Sequence, residues 1–355
     1  MPRPVLSPAV AAVATLTLAS GLGAGSVQGR APAGTLVVSN MNDHTATILD
    51  AATGRVLATL PTGEGPHEVA VSHDGRWAVV SNYGVRGKPG SSLTVVDVAR
   101  AAVARTLPLV GHQRPHGVAF LPGDTLVAVT SESSQAVLLV DVRDGRVAAA
   151  RATSGRASHM LAVPARGDRA YTANIADATI SAVDLLGDGG GAARVTPVGR
   201  APEGIAVTPD GRSVWVGSNR DSTVLVLDAR TGVAADTLRG FGMPYRIAVS
   251  PDGRLAVISD PVKGEVRIVS VADRKDRYTI AVPADSLVVT AEVPGSPSPE
   301  GVAISRDSRW AFVTLQGRNR VITIDLGRGA IVAYAPTGTW SDGIAYSPLA
   351  HPSAR

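Results

Sequence analysis

The stretch Pro202–Asn219 reads PEGIAVTPDGRSVWVGSN, and it decides the fold of this chain. It contains two short apolar phrases, Ile205–Thr208 and Val214–Asn219, separated by an Asp-Gly turn of the kind that joins adjacent antiparallel strands. Variants of the stretch begin at six other positions, and the last variant is cut short: Pro66, Pro115, Ser158, Pro244, Pro299 and Ser341. A repeat of short strands whose starts lie 42 to 55 residues apart predicts a β-propeller.

Each repeat carries four strand signals. A third strand follows the quoted phrase and usually ends on Asp, as in Val224–Asp228, and a fourth strand is shorter and looser. The chain opens at Thr35 with strands two to four and closes at Ser341 with strand one alone. Pairing the two ends completes a seventh blade and hides edges that an open sheet would expose. We therefore predict an all-β, seven-bladed propeller with four antiparallel strands per blade, closed by its N-terminal and C-terminal strands.

Composition narrows the possible functions. The net charge of +4 is spread over Arg residues, many of them in Asp-Gly-Arg turns, so no basic stripe points to a nucleic-acid partner. The chain has no cysteine, which excludes disulfides, thiolate metal sites and covalent attachment of c-type heme. The unbroken repeat predicts one domain over residues 34–355.

The N-terminus has the pattern of a secretory signal peptide. Arg3 precedes the small, apolar run Val10–Leu22, and a small and polar stretch follows. We predict that residues 1–33 are a signal peptide with a short leader, cleaved between Ala24 and Ala33. The mature chain is then expected to be secreted or periplasmic, without a transmembrane span, and monomeric.

Two sets of loop residues are predicted to surround the central channel on one face. The loop that enters the first strand places one variable residue per repeat: His67, His116, His159, Glu203, Tyr245, Glu300 and Asp342. The loop that leaves the second strand gives another set: Asn40, Asn82, Glu132, Asn174, Asn219, Asp260 and Gln316. Arg246 adjoins the first set. This polar face is the predicted site for a small molecule, protein or peptide, and its predicted ligand-binding residues are His67, His116, His159, Glu203, Tyr245, Arg246, Glu300, Asp342, Asn82, Asn174 and Asn219.

Three alternatives remain open for the chemistry of this face. The imidazoles of His67, His116 and His159 occupy equivalent positions on consecutive blades and could hold a divalent metal ion, although no cofactor is certain. The same residues could instead hydrogen-bond neighbouring loops. In a catalytic interpretation, Glu203, Glu300 or Asp342 would supply a general base, with His159 as the acid and Arg246 holding an anionic group. The chain lacks Gly-x-Ser-x-Gly and His-Glu-x-x-His motifs, so we expect binding rather than catalysis.

The repeats resemble those of the YVTN-repeat, or YncE-like, propellers. Pro202–Gly211 is similar to the family's first element, and Tyr171–Asn174 with Thr179–Asp184 is similar to its second and third. The resemblance runs from about Thr35 to Pro348 and implies a seven-bladed propeller. Related propellers include surface-layer proteins, lactonase-like enzymes, the heme-binding propeller of nitrite reductase and the copper-binding propeller of nitrous oxide reductase. Because these relatives differ in function, the resemblance implies the fold and no single activity. From the export signal and the polar face we predict a binding or interaction scaffold in the cell envelope, with a metal-assisted hydrolase or lyase of the lactonase-like kind as the alternative.

Overall fold

Seven four-stranded antiparallel sheets follow one another along the chain as blades. The structure is a computed structural model that describes residues 32–187, 191–285, 287 and 293–351. The predicted signal peptide and leader therefore lie outside the described residues up to residue 31. The described part contains one short 3₁₀ helix, Gln316–Arg318, and none of its helices is long and apolar enough to span a membrane.

The blades are numbered from the first complete repeat, and their strands run from the innermost outwards. Blade 1 contains β4 (Pro66–Val71), β5 (Trp77–Val85), β6 (Lys88–Asp97) and β7 (Ala102–Pro108). Blade 2 contains β8 (Pro115–Phe120), β9 (Leu126–Ser131), β10 (Ala136–Asp141) and β11 (Val147–Ala152). Blade 3 contains β12 (Ser158–Ala162), β13 (Arg169–Asn174), β14 (Thr179–Asp184) and β15 (Arg194–Pro197).

The remaining blades repeat the plan. Blade 4 contains β16 (Pro202–Val207), β17 (Ser213–Ser218), β18 (Thr223–Asp228) and β19 (Ala234–Leu238). Blade 5 contains β20 (Arg246–Val249), β21 (Leu255–Asp260), β22 (Glu265–Ser270) and β23 (Asp276–Ala281). Blade 6 contains β24 (Pro299–Ile304), β25 (Trp310–Leu315), β26 (Arg320–Asp325) and β27 (Ala330–Pro336). Blade 7 contains β28 (Ser341–Ser347), β1 (Thr35–Asn40), β2 (Thr45–Asp50) and β3 (Val56–Pro61).

The two ends of the chain close the ring as predicted. The last strand, β28, pairs antiparallel with β1, in a register that sets Thr35 opposite Ser347 and Val38 opposite Ile344. The seventh blade thus takes its inner strand from the C-terminal end and its other three strands from the N-terminal end.

The apolar core lies between the blades. Seven clusters of buried side chains occupy the seven seams, and each draws on two neighbouring blades. In the seam between blades 1 and 2, for example, Val79 and Leu93 pack with Val127 and Leu138. Val, Ile and Leu suit both faces of these sheets because each sheet is covered on both sides.

The Asp that ends most third strands has a local structural role. Its carboxylate accepts hydrogen bonds from backbone N–H groups of the turn that follows, as Asp50 does from Ala52 and Thr53 at 3.1 and 2.8 Å. The same contact recurs at Asp97, Asp141, Asp184, Asp228 and Asp325. These carboxylates stabilise turns on the face away from the loops that enter the inner strands.

The inner strands approach one another closely at the hub. A Cβ built on Gly301 would lie 2.2 Å from the carbonyl oxygen of Asp342, and one on Gly343 would lie 2.3 Å from that of His67. Only glycine fits where backbones meet at such distances. The side chains that begin the inner strands are consequently crowded around the channel axis.

Candidate functional site

Three imidazoles meet at the hub, as their equivalent positions predict. The rings of His116 and His159 stack with centroids 3.4 Å apart and planes inclined by 30°. The ring of His67 lies on the other side of His116, with centroids 4.6 Å apart and planes at 43°. The three side chains therefore form a stack, with His116 in the middle.

His67 is fixed from one side. Its Nδ1 lies 2.7 Å from Oδ2 of Asp342, and its ring meets the ring of Tyr83 edge-on at 4.9 Å. Its side chain keeps 14% of its surface exposed. Within the described residues Nε2 has no hydrogen-bond partner, so this nitrogen is available at the open side of the stack.

His159 is held at both nitrogens by carboxylates. Nδ1 lies 2.5 Å from Oε1 of Glu132, and Nε2 lies 3.0 Å from Oε1 of Glu203. Burial alone would lower the pKa of His159, but the charge of Glu203 and the hydrogen bonds to both carboxylates outweigh burial and raise the pKa to about 10. His159 is therefore an imidazolium at neutral pH.

Arg246 is the other buried cation of the hub. Its Nη2 lies 2.5 Å from Oε1 of Glu68 and 3.9 Å from Oδ1 of Asp342, and its Nη1 lies 2.8 Å from Oε1 of Glu203. The guanidinium also lies 4.3 Å from the centroid of the Tyr245 ring. Burial opposes the charge of Arg246, but the carboxylate of Glu68 and its neighbours hold the pKa of Arg246 above its ordinary value.

The carboxylates around these cations differ in their proton affinity. Burial raises the pKa of Glu68 although Arg246 acts in the opposite direction. Burial also acts to raise the pKa of Glu203, but His159 and Arg246 lower it to about 2. Burial acts to raise the pKa of Asp342, but its hydrogen bond to His67 together with the charges of His67 and Arg246 lowers it. A carboxylate with the pKa of Glu203 is a poor general base at neutral pH, which weighs against that catalytic prediction.

His116 is buried and lacks partners. Its exposure is 0%, and neither ring nitrogen hydrogen-bonds to any described residue. Burial, reinforced by the charges of His159 and His67, lowers the pKa of His116 well below its ordinary value. This imidazole is therefore neutral and sealed inside the stack.

Glu300 and the predicted asparagines make mainly local contacts. The carboxylate of Glu300 accepts hydrogen bonds from Ser298 Oγ at 3.0 Å and Gln316 Nε2 at 2.9 Å. Asn82 donates to Ser92 and Thr94, and Asn174 donates to Thr179 and Ser181, in each case within its own blade.

Strand register explains the asparagine contacts. Asn174 pairs with Thr179 and Ser218 pairs with Thr223, so Ser218 is the counterpart of Asn174, and Asn219 lies one residue further along. Asn219 is half-buried, and its Oδ1 has no partner among the described residues.

Two residues that the sequence interpretation missed belong to the cluster. Tyr83 follows Asn82 and donates a hydrogen bond of 2.6 Å from its hydroxyl to Oε2 of Glu132, while the guanidinium of Arg114 lies 4.9 Å from its ring centroid. Burial raises the pKa of Tyr83, so the phenol keeps its proton. Glu68 is the second missed residue. The sequence does contain a signal for Glu68, because it and Arg246 are the charged residues at a position that is glycine in four repeats. Across the seven repeats this position, which follows the variable residue, is Glu68, Gly117, Met160, Gly204, Arg246, Gly301 and Gly343.

The metal prediction stays a prediction. Across the described ranges, no group of three or more His, Cys, Asp or Glu side chains is arranged to hold a metal ion. His116 and His159 stack face to face and the ring of His67 is tilted by 43° to that of His116, whereas ligands of one ion direct their nitrogen atoms at a common point.

Comparison with solved structures supports the propeller fold. A functionally unknown protein from Desulfotomaculum acetoxidans DSM 771 superimposes with a TM-score of 0.72 at 14% identity, covering 90% of this chain and 99% of that chain. Dihydro-heme d1 dehydrogenase NirN, in complex with DHE, superimposes with a TM-score of 0.60 at 18% identity, covering 88% of this chain and 75% of that chain. At these identities the likeness concerns the fold alone.

Comparison of sequences identifies a family. No curated protein matches the chain. The family profile described as cytochrome D1 heme domain matches residues 121–354, which is more than half of the chain. The seven-bladed propeller expected from the YVTN-repeat resemblance is confirmed, while membership of that particular group stays a prediction. By its sequence, this chain belongs to the cytochrome D1 heme domain family.

Proposed function

We propose that this chain is an exported ligand-binding propeller of the cell envelope that binds a small molecule at its hub mouth. The hub mouth comprises His67, Tyr83, Arg114, Glu132 and His159. The observation that carries the proposal is the state of His67, whose Nδ1 is fixed by Asp342 while Nε2 has no partner among the described residues. A buried carboxylate that orients one imidazole nitrogen leaves the other ready to bind a ligand.

The ligand class that we propose is an iron tetrapyrrole. The family carries the name of a heme domain, and the similar NirN structure is described as a complex with DHE. Histidine is a common axial ligand of heme iron, and an imidazole whose other nitrogen is held by a carboxylate is oriented for that role. Since the chain has no cysteine, c-type covalent attachment is excluded and the group would be held without a thioether bond.

Among the three stacked imidazoles, only His67 fits an axial ligand. His116 is sealed at 0% exposure, and both nitrogens of His159 are taken by carboxylates. Arg114 lies over the ring of Tyr83, which in turn meets the ring of His67, and would supply a cation for a tetrapyrrole carboxylate. When bound, the tetrapyrrole would supply an iron centre, while this chain supplies an oriented imidazole and a cationic rim.

A titration of the mature protein with iron protoporphyrin IX tests the proposal. We expect binding at one equivalent, with the absorbance spectrum of a histidine-ligated iron. In His67→Ala that spectrum should be lost, and the affinity should fall by at least about tenfold because the iron–nitrogen bond is missing. His73→Ala is the matched control, because His73 is 56% exposed and pairs with Asp124 away from the hub mouth. A wild-type protein that does not bind the tetrapyrrole, or a His67→Ala protein with an unchanged spectrum, would overturn the proposal.

Export has a separate test. The full-length chain should be recovered outside the cytoplasm with an N-terminus between Ala24 and Ala33, as mass spectrometry would show. Full-length protein retained inside the cell would contradict this part. The alternative of a lactonase-like hydrolase or lyase is not adopted, because Glu203 and Asp342 are both engaged by buried cations.

A further inference from the structure

The face opposite the hub mouth has clefts at the seams between blades. Two kinds of turn border each cleft. One kind follows the inner strands of the two neighbouring blades, and the other follows the third strands. The cleft between blades 3 and 4 measures about 300 Å³, and the one between blades 4 and 5 about 330 Å³. The cleft between blades 5 and 6, called here the seam cleft, measures about 610 Å³. The seam cleft therefore has a larger volume than the clefts between blades 3 and 4 and between blades 4 and 5.

Two departures from the repeat enlarge the seam cleft and change its charge. The Asp that ends third strands is replaced in blade 5 by Ser270, which removes one carboxylate from the wall. Two residues after that Asp, blade 6 has Gly327, where the other five blades with this Asp carry Ala52, Ala99, Arg143, Leu186 and Arg230. Glycine has no side chain, so the space beside Gly327 in the seam cleft stays open. In the smaller cleft between blades 3 and 4, Arg230 lines the corresponding space.

A third departure gives the seam cleft an aromatic wall. Tyr278 on β23 pairs with Ile268, and its counterparts on the other outer strands are Ala58, Arg105, Ala149, Arg194, Asp236 and Ala333. The hydroxyl of Tyr278 crosses the seam and donates to the carbonyl oxygen of Gly327 at 2.9 Å. Its ring packs so closely on Gly329 that a Cβ there would lie 2.1 Å from it.

Three guanidinium groups line the same cleft: Arg254, Arg277 and Arg309. Within the described part of the chain Arg277 forms no ion pair, and Arg309 lies 4.8 Å from the ring centroid of Trp310. The two acids of the cleft are used by their own turns. Asp252 accepts from Ser250 Oγ at 2.6 Å and its own turn's backbone at 3.0 Å, and Asp307 is bound in the same way. Nε of Arg254 lies 3.8 Å from Oδ2 of Asp252, whereas neither Arg277 nor Arg309 forms an ion pair within the described residues, so the cleft offers cationic donors to a ligand.

We propose that the seam cleft binds a small amphiphilic anion, namely a flat apolar body that carries one acidic group. The apolar body would lie against Tyr278, Leu255 and Leu326, and the acidic group would meet the three guanidinium groups. This site is independent of the hub mouth, since it lies on the opposite face and uses none of the same residues. A second ligand on this face would allow the protein to bind two molecules at once.

Calorimetric titration of the mature protein with 8-anilinonaphthalene-1-sulfonate tests the proposal. We expect one equivalent to bind, and N-phenyl-1-naphthylamine, which has the same rings without the sulfonate, to bind at least about tenfold more weakly because the charge-assisted contacts are missing. Saturating iron protoporphyrin IX should leave the sulfonate titration unchanged. Binding of both probes with equal affinity, or no binding of the sulfonate, would overturn the proposal.

Variants that restore the repeat make the test specific to the seam cleft. Ser270→Asp combined with Gly327→Leu returns the residues found at the same positions of blade 3, and the nearest atom to a Cβ on Gly327 lies 3.4 Å away, so the turn accepts a side chain. This variant should lose at least about tenfold in affinity for the sulfonate because the cleft has less space. A second double variant, Arg277→Ala with Arg309→Gln, should lose at least about tenfold because the cleft has less positive charge. Arg212→Gln, at the matching turn of the narrower cleft between blades 4 and 5, should bind as the wild type does. If both cleft variants unfold at the wild-type temperature and still bind the sulfonate as the wild type does, the sulfonate does not bind in the seam cleft. An equal loss of affinity in Arg212→Gln would also contradict binding at the seam cleft.

Discussion

Glu68 and Arg246 are 178 residues apart in the chain and form a buried ion pair across the hub, with Nη2 of the arginine 2.5 Å from Oε1 of the glutamate. They occupy the same position of two repeats, in blades 1 and 5, where four other blades have glycine. The pair connects opposite sides of the ring and supports the stack of imidazoles through Glu203 and Asp342.

Removal of Arg246 should destabilise the fold strongly. Arg246→Met leaves Glu68, Glu203 and Asp342 buried without their shared cation, and we expect the free energy of unfolding to fall by about 3–5 kcal/mol. Urea denaturation at neutral pH measures this loss. Arg212→Met, in an exposed turn, is the control and should change stability by no more than about 0.5 kcal/mol. Equal losses in the two variants would show that the buried ion pair contributes no more to the free energy of unfolding than an exposed arginine does.

The pH dependence of stability should have two limbs. The pKa of His159 is about 10 in the folded protein against an ordinary 6.5, so its contribution is complete below pH 6.5 and is lost as the pH rises to 10. The pKa of Glu203 is about 2 against an ordinary 4.5, so its contribution is complete above pH 4.5 and is lost as the pH falls to 2. Unfolding free energies should therefore decline above pH 6.5 through His159 and below pH 4.5 through Glu203, and the lowered pKa of His116 adds to the acid decline from pH 6.5 downwards, because the unfolded chain binds a proton there that the buried imidazole does not. In His159→Gln the decline above pH 6.5 should flatten, and an unchanged alkaline slope would contradict the assigned pKa.

The close approach of inner strands should make the hub glycines sensitive to substitution. Gly301→Ala places a Cβ 2.2 Å from the backbone of Asp342, and the expected cost of overpacking is about 1–3 kcal/mol. Thermal unfolding should show a lower midpoint. Gly327→Ala serves as the comparison, because its new Cβ meets only ordinary contacts. If both variants melt at the same temperature, the inner strands are not packed as closely as described.

Closure of the ring should depend on the last strand. A chain that ends at Thr339 lacks β28 and exposes the edge of β1 in blade 7. We expect this truncated chain to aggregate or unfold, because an unpaired apolar strand edge pairs with other chains. A chain that ends at His351 keeps β28 and should behave as the full-length protein does. Size-exclusion chromatography distinguishes the cases, and a soluble, monomeric short chain would argue against closure by β28.

Most of the fold was predictable because the same sequence pattern recurs seven times along the chain. The strand ends recur along the chain and an Asp-Gly turn appears in three copies, at Asp74, Asp210 and Asp252, so an unclear copy can be interpreted from the others. The pairing of β28 with β1 followed from simple completion of the missing blade. The distribution of side chains between the faces was harder to predict. Asn82 and Asn174 looked like channel residues, but register directs them into their own blades and places Tyr83 at the hub instead.

The site was predictable only in part, because its contacts join distant repeats. The variable position correctly brought His67, His116 and His159 together. No pattern within one repeat indicates that Glu68 binds Arg246, since that contact depends on the diameter of the closed ring. The pKa of His159 is raised and that of His116 is lowered, and both shifts depend on burial and on which carboxylates lie near each ring. Spacing along the chain specifies neither the burial nor the neighbouring carboxylates.

We propose that the hub mouth binds an iron tetrapyrrole through Nε2 of His67. Resonance Raman spectroscopy of the reduced complex with iron protoporphyrin IX tests it most directly, because the iron–histidine stretching band reports that one bond. We predict that the band is present in the wild-type protein and in His73→Ala and is absent in His67→Ala. A band that persists unchanged in His67→Ala would contradict the account.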